Sequence, residues 1–209
     1  MTDFGKQLVS EFLDQLASDS PTPGGGTASA VAGATGASLA AMVAALTLTR
    51  EKFAPVHDAI RPIAQAATHA RLEFLTLARE DSEAYNLVLA ARKMPKDTDE
   101  HRTTRDRAIA AANRRATEVP MRTARLAARI LALLPELVEK GNPNAASDAG
   151  AAALLLESAA EGALLNVGIN LSGIEDPAFV SAMQKETAAI QTDAQRIRSQ
   201  VLAVVRKSF

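Results

Sequence analysis

The chain has 209 residues, 47% of them hydrophobic but only 3% aromatic, with neither Cys nor Trp. Lys plus Arg (23) nearly balances Asp plus Glu (24) for a net charge of -1, so no global field draws the protein onto nucleic acid or an anionic membrane. Without Cys there are no disulfides, no thiolate metal sites and no Cys nucleophile.

The length suits a single domain over 1–209, large enough to bury a sizeable core. An apolar total made mainly of Ala, Leu, Val and Ile favours helices packed closely on one another. His57, His69 and His101 lie too far apart in sequence for the i, i+4 or short-loop spacing of a zinc or di-iron site, so no protein-held metal is expected. The opening MTDFGKQLVSEFLDQL places acidic residues among its apolar ones. It does not read as a secretory signal, and a cytoplasmic location is expected.

From Lys6 to Ala17, Leu8, Val9, Phe12, Leu13 and Leu16 recur at three- and four-residue steps, which predicts an amphipathic helix. The run SDSPTPGGG ends it. Ala28 to Leu48 follows without a charge, and about 20 such residues are long enough to span a bilayer. Its Gly, Ala, Ser and Thr make it weakly hydrophobic, and no Trp or Tyr marks its ends. It is read as the buried central helix of a soluble bundle, with a membrane-associated protein as the alternative. Gly33, Ala37, Ala41 and Ala45 form a smooth ridge that lets a neighbour approach.

Pro55 and Pro62 bracket the start of the next segment, and Ile63 to Met94 contains neither Pro nor Gly, which allows a helix of roughly 45 Å. Pro95 breaks it. A second long helix is expected from Glu100 to Lys140, kinked or interrupted at Pro120 and Pro135. Gly141 then terminates, and Asn144, Ser147 or Asp148 caps a helix from Ala149 to Leu171. SGIEDP is a turn, and Ala178 to Ser208 closes the chain as an amphipathic helix. No clean strand alternation occurs, so the class is all-α: an up-and-down bundle of about six long helices. Two nearly charge-free helices are many for one small domain, and dimerisation through these Ala/Gly-rich helices would cover them.

Three groups could carry chemistry. Gly24, Gly25 and Gly26 feed straight into a helix with Thr27 or Ser29 in its first turn, leaving amides that can hold a carboxylate or phosphate; a flexible hinge with an N-cap is the plain alternative. Asn142, Asn144, Ser147 and Asp148 cluster at another helix start, more polar groups than capping needs. Asn166 and Asn170 lie one turn apart on an apolar helix, where unpaired amides would each cost on the order of 1–3 kcal/mol, so each needs a ligand or a neighbouring polar group. Asp148 and Asn166 share an azimuth but lie about 27 Å apart along one helix. They serve different ends of a long ligand, or a symmetry mate supplies one of them. Asp81, with Ser82 and Tyr85, and Lys96 are further candidates, although surface Asp and Lys are common. Arg50 and the Arg-rich stretches of 102–129 read as solvated faces from spacing alone.

PTPGGGTASAVAGATGASLAAMVAALTL, REKF, EDSEAYNLVLAARKMPKDT, ATEVP, KGNPNAASDAG and LLNVGINLSGIEDPAF occur in that order. Together they resemble the cyclodeaminase domain of formiminotransferase-cyclodeaminases and the stand-alone methenyltetrahydrofolate cyclohydrolases, over nearly the whole chain. The chain departs from that pattern at Glu51, where relatives often carry a basic residue, and at Met94, where Leu is usual. The resemblance implies a helical dimer or higher oligomer with a folate site between helices. It implies a tetrahydrofolate derivative as substrate and no bound cofactor. It also implies roles for the glycine turn, Arg50, Asp81, Lys96, Asn144, Asp148 and Asn166.

The expected reaction is hydrolysis of 5,10-methenyltetrahydrofolate to 10-formyltetrahydrofolate, since no transferase domain precedes these motifs. The alternative is cyclisation of 5-formiminotetrahydrofolate with loss of ammonia. A non-catalytic folate-binding or scaffold dimer is the reading from another class. Asp148 or Asp81 is the expected acid/base, helped by Lys96. Gly24, Gly25, Gly26, Arg50, Tyr85, Asn142, Asn144, Ser147, Asn166 and Asn170 are the expected substrate contacts.

Overall fold

Small residues and long uninterrupted stretches decide the architecture. In the computed structural model, which describes residues 3–207, those residues form helices and turns with no strand. The helices are α1 (Val9–Leu16), α2 (Gly25–Leu48), α3 (His57–Arg92), α4 (Asp99–Leu131), α5 (Leu134–Lys140), α6 (Ala146–Leu171) and α7 (Pro177–Val205). Short 3-10 turns at Glu51–Val56 and Pro143–Ala145 lead into α3 and α6. The up-and-down bundle expected from sequence is borne out, with α2, α3, α4, α6 and α7 as its long members.

α2 is the axis of the bundle, running antiparallel to both α3 and α6. Its small residues set how closely they come. A Cβ on Gly33 would lie 2.5 Å from a Phe74 ring carbon of α3, and one on Gly36 would lie 2.9 Å from Leu156 Cγ of α6. Real Cβ contacts are longer, so these glycines are places where the neighbour fits only because the side chain is absent. The predicted ridge drifts away from this contact: Gly33 and Ala37 are buried, but Ala45 is exposed. The buried line runs instead through Ala30, Gly33, Ala37, Ala40 and Ala44. α2 and α6 are long and apolar enough to cross a membrane by length and composition. Both place a broad face of small residues against other helices, as core helices do.

The element ends differ from expectation where proline is concerned. α1 is shorter than Lys6–Ala17 and buries only Phe12, which meets Phe4 edge-on. Pro62 does not delay α3, because the carbonyl it leaves without a partner belongs to exposed Asp58 near the helix start, where water can serve it. Pro135 does interrupt the expected Glu100–Lys140 helix and opens α5. Pro120 does not interrupt it, although it lies buried in α4. The carbonyl four residues back, Ala116 O, takes the side-chain N–H of Asn170 at 2.7 Å instead. α6 begins at Ala146 rather than Ala149, because Asn142, not Asn144, Ser147 or Asp148, caps the turn before it through the Asn144 amide. α7 starts under an Asp176 cap; its expected end at Ser208 lies outside the described residues.

The Arg-rich face of α4 is more than a solvated surface. Arg125 grips Glu186 of α7 with two hydrogen bonds of 2.6 Å each, and Arg122 pairs with Glu80 of α3. Arg114 lies over the Phe179 ring at 4.1 Å.

Candidate active site

The start of α2 is built around a carboxylate from another helix. Gly24 is the N-cap and offers no side chain, so the first turn of α2 needs outside acceptors for its amides. Asp81 of α3 supplies one. Its Oδ2 accepts the Thr27 hydroxyl at 2.8 Å, and the Thr27 backbone amide also donates to this carboxyl. Gly26 makes the approach possible, because a Cβ there would stand 2.3 Å from Asp81 Oδ1. The anion-holding capacity expected of the glycine turn is thus used by the protein's own Asp81.

A cavity of about 240 Å³ opens beside this carboxylate, lined by Pro21, Thr22, Gly24, Gly25, Gly26, Asp81, Tyr85, Ala116, Asn166, Ile169 and Asn170. Seven of the sequence candidates meet there: Gly24, Gly25, Gly26, Asp81, Tyr85, Asn166 and Asn170. Burial pushes the Asp81 carboxyl above its ordinary value, while the two Thr27 hydrogen bonds pull it back.

The two asparagines answer the question that their place on α6 raised. Asn166 donates through Nδ2 to Gly162 O at 2.8 Å, and Asn170 donates through Nδ2 to Ala116 O. Each carboxamide nitrogen has one N–H committed to protein and keeps a second N–H beside the carbonyl oxygen, so both side chains can donate to or accept from a ligand. No Lys or Arg lines it among the described residues. Two carboxamides and one carboxylate, with no cationic side chain beside them, suit the polar edge of a heterocycle or a cation better than an anion. No three His, Asp or Glu side chains converge on a point among the described residues.

The other candidates lie elsewhere in the chain. The Asn142 amide donates to Thr47 Oγ1 at 2.9 Å, which fixes Asn142, Asn144, Ser147 and Asp148 to the far end of α2. Thr27 and Thr47 are about 30 Å apart along that helix. Arg50 is the residue before the 3-10 turn at the same far end, with no capping bond from its side chain. Asp148 and Asn166 do share α6, as the 27 Å argument assumed. Lys96 does not line this cavity: α3 continues to Arg92, roughly 16 Å past Asp81, before the exposed Lys96 is reached. Sequence reasoning missed Ala116 and Ile169 as lining residues. Nothing in the sequence says which side chain meets the carbonyl that Pro120 frees.

Fold and cavity together define an all-helical protein with one largely buried carboxylate set beside two carboxamides in a small cavity. The chain belongs to the formiminotransferase-cyclodeaminase family, whose model matches residues 8–189. It is 35% identical over 202 residues to the methenyltetrahydrofolate cyclohydrolase of Methylorubrum extorquens, covering 97% of each chain. It is 32% identical to the formimidoyltransferase-cyclodeaminase of Sus scrofa, where the match covers 91% of this chain and 35% of that protein. The solved formiminotetrahydrofolate cyclodeaminase of Thermotoga maritima superposes with a TM-score of 0.87 at 30% identity, over 97% of this chain and 98% of that one.

Proposed function

We propose that this chain is a folate one-carbon enzyme that hydrolyses 5,10-methenyltetrahydrofolate, reversibly, to 10-formyltetrahydrofolate. The observation that carries the reading is Asp81, a carboxylate raised by burial and open to a cavity that the Asn166 and Asn170 carboxamides also line. The full-length similarity to a methenyltetrahydrofolate cyclohydrolase supports it. The methenyl compound is a cation, and its amidinium suits that lining. Asp81 takes a proton from water as the oxygen adds to the amidinium carbon. It gives the proton to N5 as the carbon–N5 bond breaks, and the hydroxyl proton leaves as the formyl carbonyl forms. A carboxyl with a raised pKa can serve in both directions. Of the two expected carboxylates, Asp81 is the acid/base in this reading.

The likeness to the Thermotoga cyclodeaminase favours a second reading, in which the same carboxyl protonates ammonia leaving 5-formiminotetrahydrofolate. A paired assay separates them. Loss of methenyl absorbance without ammonia chemistry is the expected result. Formation of the methenyl compound with ammonia release assigns the cyclodeaminase, and silence in both leaves a folate-binding scaffold. The reading includes a cytoplasmic enzyme with no bound cofactor and neither a membrane nor a nucleic-acid partner.

It also includes a homodimer. The paired helices α2 and α6 each keep an exposed apolar stripe, Met42 and Leu46 on one, Leu154, Leu165 and Ile169 on the other, with Ile169 exposed by 73%. Exposed apolar side chains grouped along paired helices suit an interface. Antiparallel pairing of two copies along it would bring the Asn142–Asp148 end of one beside the glycine turn of the other, which resolves the separation of the two clusters. Leu165→Glu is expected to give a folded monomer by light scattering. A monomeric wild type, or a variant that stays dimeric, would overturn this interface.

A further inference from the structure

Thr27 stands in the first turn of α2, where the residue four back, Pro23, precedes the helix. Ser29, Thr35, Ser38 and Thr47 of α2 each donate their hydroxyl to the carbonyl four residues back. Thr27 is completely buried, yet its hydroxyl crosses to α3, donating to Asp81 Oδ2 at 2.8 Å and meeting Ser82 Oγ at 3.0 Å. Donation by Ser82 to Thr27 leaves the threonine proton committed to the carboxylate. One side chain is thereby held by two hydroxyls in sequence, neither of whose residues lines the cavity.

We propose that Thr27, held in turn by Ser82, is the positioning residue of this site, fixing the orientation of the Asp81 carboxyl beside the cavity. The inference rests on the reading of Asp81 as the acid/base and names what tunes it. α2 brings no charged side chain to Asp81, and α6 brings the neutral Asn166 and Asn170. α4 brings Ala116, while its Arg122 is occupied by Glu80. Tyr85 of α3 is the other titratable group lining the cavity. The influences on the Asp81 carboxyl are accordingly burial, which raises its pKa, and the two Thr27 hydrogen bonds, which lower it.

Thr27→Val keeps the shape and removes the hydroxyl. Burial is then opposed only by the backbone amide, so the Asp81 pKa rises, by about one unit for one hydrogen bond to a charged group. The acid limb of kcat/KM moves to higher pH by the same amount. Below that limb kcat falls about tenfold, with KM within about twofold of wild type. Thr27→Ser restores both. Carbon-13 titration of the Asp81 carboxyl in folate-free wild type and variant measures the same shift without turnover. It therefore decides the matter even if the wild type acts on neither folate and the proposed function fails. An Asp81 that titrates identically in wild type and Thr27→Val overturns the proposal, as does a Thr27→Ser variant as impaired as the valine one. Should the valine variant not fold, Ser82→Ala is the second probe: a smaller upward displacement supports the proposal, and none overturns it.

Discussion

Asp81→Asn is expected to lower kcat for methenyltetrahydrofolate hydrolysis by about 10²–10⁴-fold, the usual contribution of a positioned acid or base. Asparagine matches aspartate in shape, so the Thr27 hydroxyl can still donate to the remaining oxygen, and a neutral amide is cheaper to bury than a carboxylate. Against this, the start of α2 loses an anion and one acceptor oxygen, so thermal stability should change little while turnover collapses. In wild type, activity requires the ionised carboxyl before water attacks, and burial lifts its pKa above 3.8. The rate then declines as pH falls through that raised value, and the decline should vanish from the residual rate of the variant. Single-turnover absorbance across pH measures both. A variant retaining more than about a tenth of wild-type kcat with an unchanged acid limb would remove Asp81 from the chemistry. Asp148→Asn is the companion: it lies about 27 Å from Asn166 along α6, so any effect it has on turnover should disappear when the apolar stripe is broken by Leu165→Glu.

The sequence carried the fold because α2, α3 and α6 are long segments whose apolar positions and breakers agree with the packing they enter. Its errors came at prolines. Pro62 and Pro120 look like breaks by their chemistry, yet the carbonyl freed by Pro62 belongs to exposed Asp58, open to solvent, and the one freed by Pro120 accepts from Asn170. Only tertiary structure supplies such a partner, so local pattern cannot foresee it. The site was legible in residue type: seven named residues do converge at the glycine turn. Distance was legible along a single helix, which is why the separation of Asp148 from Asn166 could be stated in advance. It was not legible across helices. Lys96 looks close to Asp81 in sequence, but the unbroken run of α3 to Arg92 carries it off, and the glycine turn looked ready for a substrate anion until Asp81 filled it.

Phe74→Ala should cost about 3–5 kcal/mol of unfolding free energy, the range for deleting a buried aromatic ring. Phe74 is completely buried, and its ring lies against Gly33, where α2 has no side chain to move into the space. Relaxation across that contact is thus limited, which puts the expected loss toward the upper end. Typical domains have about 5–15 kcal/mol in hand, so the variant should unfold at much lower urea with an unchanged slope. Gly33→Ala in wild type forces a methyl 2.5 Å from the ring and should cost about 1–3 kcal/mol despite the better helix propensity of alanine. Introduced into Phe74→Ala, the same methyl enters the emptied volume and should stabilise. The two substitutions are therefore expected to be coupled by about 1 kcal/mol or more, with opposite signs for the glycine change in the two backgrounds. Costs that simply add, to within about 0.5 kcal/mol, would show that α2 and α3 are not held apart by this ring and that the Gly33 contact does not set their spacing.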